Sequence, residues 1–185
     1  YTAENDNEAD IRLEALKKLK EQKIITRIAL NDPSKLVRAT ALSMVINEDL
    51  LVEMLLKMKY SDVYRETIAN LSNPIYFEDL VKNAADSRMR LTALLHVNDQ
   101  LVFAHVAKYD KDCNVGIAAL KKIKDPFLVI DVAAHGYRLD VQQLAIDKVT
   151  DMRALTEIAV CGRGVEIRQC ALGRITEQNV ISDII

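Results

Sequence analysis

Three histidines and three cysteines are the first residues to weigh for chemistry. His96, His105 and His135 have side chains suited to metal ligation or general-base work, and Cys113, Cys161 and Cys170 to ligation or nucleophilic attack. Either role needs groups that converge on one point. No Cys-x-x-Cys, Gly-x-Ser-x-Gly, His-Glu-x-x-His or His-Glu dipeptide occurs to bring them together. Gly162-Arg163-Gly164 is too short and isolated for a phosphate loop and reads as a turn between helices. The expectation is a chain that is not an enzyme, with no catalytic residues, no metal site and no cofactor. An odd number of cysteines fits free thiols, packed as small hydrophobes in a reducing compartment, so a cytoplasmic location is expected.

The elements that would position any site follow from composition. The chain has 185 residues, with only 5 glycines and 3 prolines, and half of it is hydrophobic. Three phenylalanines, six tyrosines and no tryptophan leave a core of Leu, Ile, Val and Ala. Few turn residues and an aliphatic core imply an all-α fold. With 25 basic and 27 acidic residues the net charge is −2, which gives no general reason to expect nucleic acid or an anionic membrane. No uncharged stretch approaches the roughly 18 residues of a membrane span.

The chain repeats every 26 residues. The anchors are Ile11, Val37, Val63, Met89, Val115, Val141 and Ile167. Four residues on stand Ala15, Ala41, Thr67, Ala93, Ala119, Ala145 and Ala171, and next Leu16, Leu42, Ile68, Leu94, Leu120, Ile146 and Leu172. Three further come Leu19, Val45, Leu71, Val97, Ile123, Val149 and Ile175, completing one helical face. Two residues later lies a capping column, Glu21, Asn47, Asn73, Asp99, Asp125, Asp151 and Glu177, in which Glu is the poorer cap. Pro74 and Pro126 follow directly, where a first helical turn accepts proline. A second apolar face starts at Ile25, Leu51, Phe77, Phe103, Val129, Leu155 and Ile181. Each unit is thus two short amphipathic helices, and one hairpin alone cannot bury both faces. The expected fold is a right-handed α-solenoid of about seven helical hairpins, forming one repeat domain over 1–185. His135 and Cys161 share an offset in adjacent repeats, but a stacking distance of about 10 Å exceeds metal-ligand reach.

The segment Asp32-Pro33-Ser34-Lys35-Leu36-Val37-Arg38, with Ala41-Leu42 beyond it, resembles HEAT repeats, above all the short bacterial type related to phycobilisome-lyase repeats. The family pattern places an Asp in the turn and Val-Arg six residues on. Asp6 and Arg12 repeat that spacing; Arg90 and Arg168 keep the Arg, and Asp110 keeps the Asp. Repeats three and six lack both, although Arg65 sits one residue late. The leucine-rich variant repeat is the rival family at this repeat length. The resemblance implies a superhelical scaffold binding a peptide, helix or partner protein on a concave groove. It leaves open a nucleic-acid-binding module and a regulatory or lyase-like accessory of an enzyme.

Helical offsets separate core from surface. Arg12, Arg38, Arg90 and Arg168 fall inside the buried arc, so they are expected to form a structural ladder reaching turn carboxylates or carbonyls. Residues facing away from the core on the same helices are Leu91, Thr92, Leu95, Ile117, Ala118 and Leu144, bordered by Lys121 and Lys124. An apolar cluster in consecutive units suits an apolar or amphipathic peptide. On the other helices Glu53, Asp79, Asp131, Glu157 and Asp183 form an acidic column open to a basic partner, interrupted by Arg27 and His105. Leu101, Phe127, Ile130 and Ala134 make a nearby apolar patch suited to dimerisation. Lys17, Lys18, Lys20 and Lys23 are diluted by Glu14 and Glu21, and nucleic acid is not expected there. The chain opens without Met and stops at the apolar Ile184-Ile185, so a longer parent protein or end-on pairing of copies is expected.

Overall fold

The computed structural model describes residues 2–57, 64–69 and 71–182, except the side chains of Glu66, Ala69 and 177–182. Val63, Asp183, Ile184 and Ile185 therefore lie outside the described residues, as do the side chains of Glu177 and Ile181. Among the described residues every regular element is a helix. They are α1 (Thr2–Asn5), α2 (Ala9–Leu16), α3 (Gln22–Asn31), α4 (Lys35–Ser43), α5 (Glu48–Lys57), α6 (Tyr64–Ala69), α7 (Pro74–Asn83) and α8 (Ser87–Leu94). Then follow α9 (Gln100–Tyr109), α10 (Cys113–Lys122), α11 (Pro126–His135), α12 (Leu139–Lys148), α13 (Met152–Cys161) and α14 (Val165–Ser182). None is long and apolar enough to cross a membrane.

The chain divides into two compact units, Tyr1–Val97 and Asn98–Ile185. In the first, α1 packs on α2, α3 on α4 and α7 on α8; α2 meets α4, α3 meets α5, α5 meets α7 and α6 meets α8. In the second, α9 packs on α10, α11 on α12 and α13 on α14; α9 meets α11, α11 meets α13, α10 meets α12 and α12 meets α14. Within the second unit, successive helices pair in hairpins and each hairpin meets the next through helices of like parity.

The helices begin and end where local chemistry requires. Asn73, Asp99, Asp125 and Asp151 each accept backbone N–H bonds at the starts of α7, α9, α11 and α13. Asn47 accepts from Leu50 at 3.2 Å ahead of α5. Glu21 caps nothing with its side chain. Gly164 adopts φ 94°, a left-handed turn that disfavours side chains, between α13 and α14.

The seventh unit departs from the expected hairpin. α14 runs unbroken from Val165 to Ser182, straight through Glu177. Glu lacks the short side chain that bonds its own helix start, and no proline follows, so nothing there interrupts the helix. The core columns hold at most positions: Val37, Ala41, Val115, Ala119, Val141, Ala145 and Ala171 are fully buried. They fail at Ile11, which is 43% exposed, and at Leu172, which is 58% exposed. Ala15, Leu19, Val45 and Ile175 are half-buried.

Candidate functional site

The four arginines of the Val-Arg column share one geometry. Nη1 donates to the carbonyl six residues earlier: Arg12 to Asp6 at 2.8 Å, Arg38 to Asp32 at 2.7 Å, Arg90 to Ala84 at 2.8 Å and Arg168 to Gly162 at 3.1 Å. Each acceptor follows the end of the preceding odd-numbered helix, where carbonyls lack intrahelical partners. Arg38 and Arg90 also reach the carbonyls of Pro33 and Ala85, both at 3.0 Å. Arg12 adds a fork onto Asp32, 2.8 Å from Nε and 2.9 Å from Nη2, and that carboxylate raises the affinity of Arg12 for its proton. Where the column lacks Arg, Gln142 is buried and donates to Ala133 at 3.0 Å. Gly116 instead allows α10 and α12 to close up: a Cβ there would lie 3.0 Å from Val141 Cγ2. Arg12, Arg38 and Arg90 are buried, whereas Arg168, expected in the same buried arc, is half-buried on the last helix.

The expected partner face falls on two units. In the first, Leu91 and Thr92 on α8 are half-buried and Leu95 is 71% exposed; the Thr92 hydroxyl donates to the Arg88 carbonyl. In the second, Ile117 and Ala118 on α10 are half-buried, while Lys121, Lys124 and Leu144 are exposed. α10 and α12 are neighbours, so Ile117, Ala118, Lys121 and Leu144 occupy one packed pair. Leu101 and Phe127 are 69% and 80% exposed, with Ile130 and Ala134 half-buried.

The acidic column is largely engaged by its neighbours. Glu53 accepts from Lys57 at 2.5 Å and Asp79 from Asn83 at 2.6 Å. Asp131 accepts from Lys108 at 2.6 Å and pairs with His135 at 3.0 Å. Glu157 is exposed on α13, and Arg27 pairs with Glu4. Partial burial raises the Asp131 carboxyl pKa, but the hydrogen bonds and charges of Lys108 and His135 outweigh it, and the net shift is downward. A depressed carboxyl contributes stability above the usual Asp range and loses it as pH falls through the folded value. Asp131 is 38% exposed, so solvent screens the pair and Asp131→Asn should cost under about 1 kcal/mol. Urea melts at pH 7 and pH 2 check this: the difference from wild type should be present at the first and gone at the second.

The residues that opened the search for chemistry stay apart. His96 stacks on Phe77 at 4.8 Å and His105 leans on Tyr109 at 4.9 Å. The hydrogen bond from the Cys113 thiol to Asp140 pushes that thiol up, away from thiolate reactivity. Arg138 and Cys113 hold Asp140 well below the usual carboxylate range. Cys161 is exposed and Cys170 half-buried, and neither is joined in a disulfide. No group of three His, Cys, Asp or Glu suited to a metal ion exists among the described residues. Lys17, Lys18, Lys20 and Lys23 are all exposed, with Lys17 paired to Glu14 at 2.6 Å.

No family model, no curated protein and no solved structure matches the chain.

Two features of the second unit went unread in the sequence. One is an aromatic stack at the turns, with Tyr109 5.5 Å from Tyr137 and the Arg163 guanidinium 4.1 Å above Tyr137. Two backbone bonds of equal span fix it, Tyr137 N–H to Lys108 at 2.9 Å and Arg163 N–H to Ala134 at 3.1 Å. The other is a cleft of about 340 Å³ at the opposite ends of the helices, lined in part by Val129, Ile130 and Lys148. Its members Lys124 and Ile130 were singled out in the sequence, but as parts of two separate surfaces.

Proposed function

We propose that this chain is a HEAT-like α-solenoid serving as a protein-interaction scaffold. Its partner, a peptide or helix, docks on the even-numbered helices of the second unit. The observation that carries the reading is the recurrence of one arginine-to-carbonyl geometry at four repeat positions. Such a device builds a regular array and spends its charged groups inside it. The surface is then free to vary, and on α10 and α12 it presents Ile117, Ala118 and Leu144. Apolar side chains spaced along helices and bordered by lysines suit an amphipathic helix.

A peptide library displayed on phage and selected against the purified protein tests this. Selected peptides should bind wild type and lose at least about tenfold affinity against Ile117→Glu/Leu144→Glu, since each change buries an unpaired charge under the peptide. The variant should keep its helical circular dichroism, because both residues are partly open to solvent. Equal binding to the folded variant, or no enrichment, would remove the assignment.

A further inference from the structure

Glutamine side chains clamp one turn onto the next at two equivalent places in the chain. Gln22, the first residue of α3, donates from Nε2 to the Met44 carbonyl at 3.3 Å, and its Oε1 accepts from the Ile46 N–H at 3.4 Å. Gln100, the first residue of α9, does the same three repeats on. Its Nε2 donates to the Lys122 carbonyl at 3.4 Å and its Oε1 accepts from the Lys124 N–H at 2.7 Å. In both clamps the carbonyl lies 22 residues ahead and the N–H 24. Carbonyl and N–H together form one acceptor–donor pair, and a primary carboxamide is the neutral side-chain group that meets both at once. Glu48 stands at the same repeat position and makes half of the clamp. Its carboxylate accepts from the Ser72 N–H at 3.3 Å, again 24 residues ahead, but has no donor for a carbonyl.

Pro126 occupies the clamp position at the start of α11, and its ring carries no polar atom. The equivalent pair ahead of it is the Lys148 carbonyl and the Thr150 N–H. Among the described residues no side chain bonds either of them. The cleft of about 340 Å³ opens at this joint, lined by Pro126, Lys148 and Thr150. Ile123, Val129 and Ile130 line it too, and suit the methylene stem of a glutamine. The rim mixes Lys124 and Lys148 with Asp151, so no single sign of charge selects the guest and a neutral polar group fits. We infer that this cleft is a carboxamide site taking a glutamine side chain of a partner protein. The guest amide donates to the Lys148 carbonyl and accepts from the Thr150 N–H, as Gln22 and Gln100 do for their own turns. The site is built of turn backbone, goes beyond the face on Ile117 and Leu144, and does not depend on the outcome of the phage selection.

Amide-resolved nuclear magnetic resonance tests it, with propionamide as probe because it is the glutamine side chain with a hydrogen in place of Cα. The Thr150 N–H should shift and saturate as propionamide is added, while Ile46 and Lys124, whose own glutamines hold the pair, should not. Propionate and N,N-dimethylpropionamide lack the donor and should bind at least about fivefold more weakly. Acetylglutamine methylamide should bind at least as tightly as propionamide; weaker binding would overturn a protein as the source of the amide. Pro126→Gln should seat its own amide, slowing Thr150 hydrogen exchange at least about tenfold and abolishing the propionamide shift. Pro126→Met fills the same space without an amide and should leave that exchange unchanged. Gln100→Met should speed Lys124 exchange and make that N–H respond to propionamide, which keeps the question decidable should the Pro126 variants not fold. Equal binding of the dimethyl amide would overturn the carboxamide as ligand and leave an apolar hole. No shift at Thr150 in wild type, or one that persists in Pro126→Gln, would overturn the site, as would equal slowing of exchange in Pro126→Met.

Discussion

Arg12→Ala should lower the unfolding free energy by about 3–5 kcal/mol, among the largest single-site losses expected in the first unit. The Asp32 side chain is 3% exposed and receives both prongs of the Arg12 fork. Removing the guanidinium leaves that carboxylate in the protein interior, still accepting from the Ser34 N–H at 2.8 Å. It also frees the Asp6 carbonyl at the end of α1. Burying a charge costs several kcal/mol unless it is paired. The double change Arg12→Met/Asp32→Leu should recover most of the loss, since an apolar pair of similar bulk removes the stranded charge. Urea unfolding followed by circular dichroism reads all three proteins. A single-variant loss below about 1 kcal/mol would mean that water reaches Asp32 and that the fork is ornamental.

The Arg column is where sequence and structure meet most closely. Helical offsets placed Arg12, Arg38 and Arg90 inside the packed arc, and all three are buried. A period of 26 residues located the turns, because short polar residues such as Asp99 and Asp151 bond their own helix starts. What pattern alone misses is context at the edges. Glu177 stands in the capping column, yet α14 passes through it, since a cap needs a side chain that reaches back onto the backbone. The partner face was less legible than the fold. Its apolar members could be picked by offset, but the cleft beside them depends on how two turns stack, with Lys124 from one and Lys148 from the other. Acidic residues misled for a similar reason: Glu53 and Asp131 share a column on paper, while in space each already has a lysine.

Leu120→Ala should cost about 2–5 kcal/mol, while Leu172→Ala, at the equivalent repeat position, should stay within about 0.5 kcal/mol. Both belong to one sequence column, and the period gives no reason to separate them. The structure does. Leu120 is 1% exposed on α10, with α9 and α12 packed against its helix. Truncating it removes the transfer energy of its lost carbons and leaves a cavity that a close-packed wall refills only in part. Leu172 is 58% exposed on α14, whose packed neighbours are α12 and α13. Its carbons are mostly wet before the substitution, so little apolar burial is lost and no cavity forms. Alanine also favours helix slightly over leucine, which trims the cost further. Matched urea melts of the two variants measure the difference directly. Near-equal losses would show that Leu172 is covered in solution, by a second copy or by further chain, and a rise in the molecular mass by light scattering would tell the first from the second. Independence of protein concentration, with Leu172→Ala silent, would fix Leu172 as a surface residue despite its place in the core column.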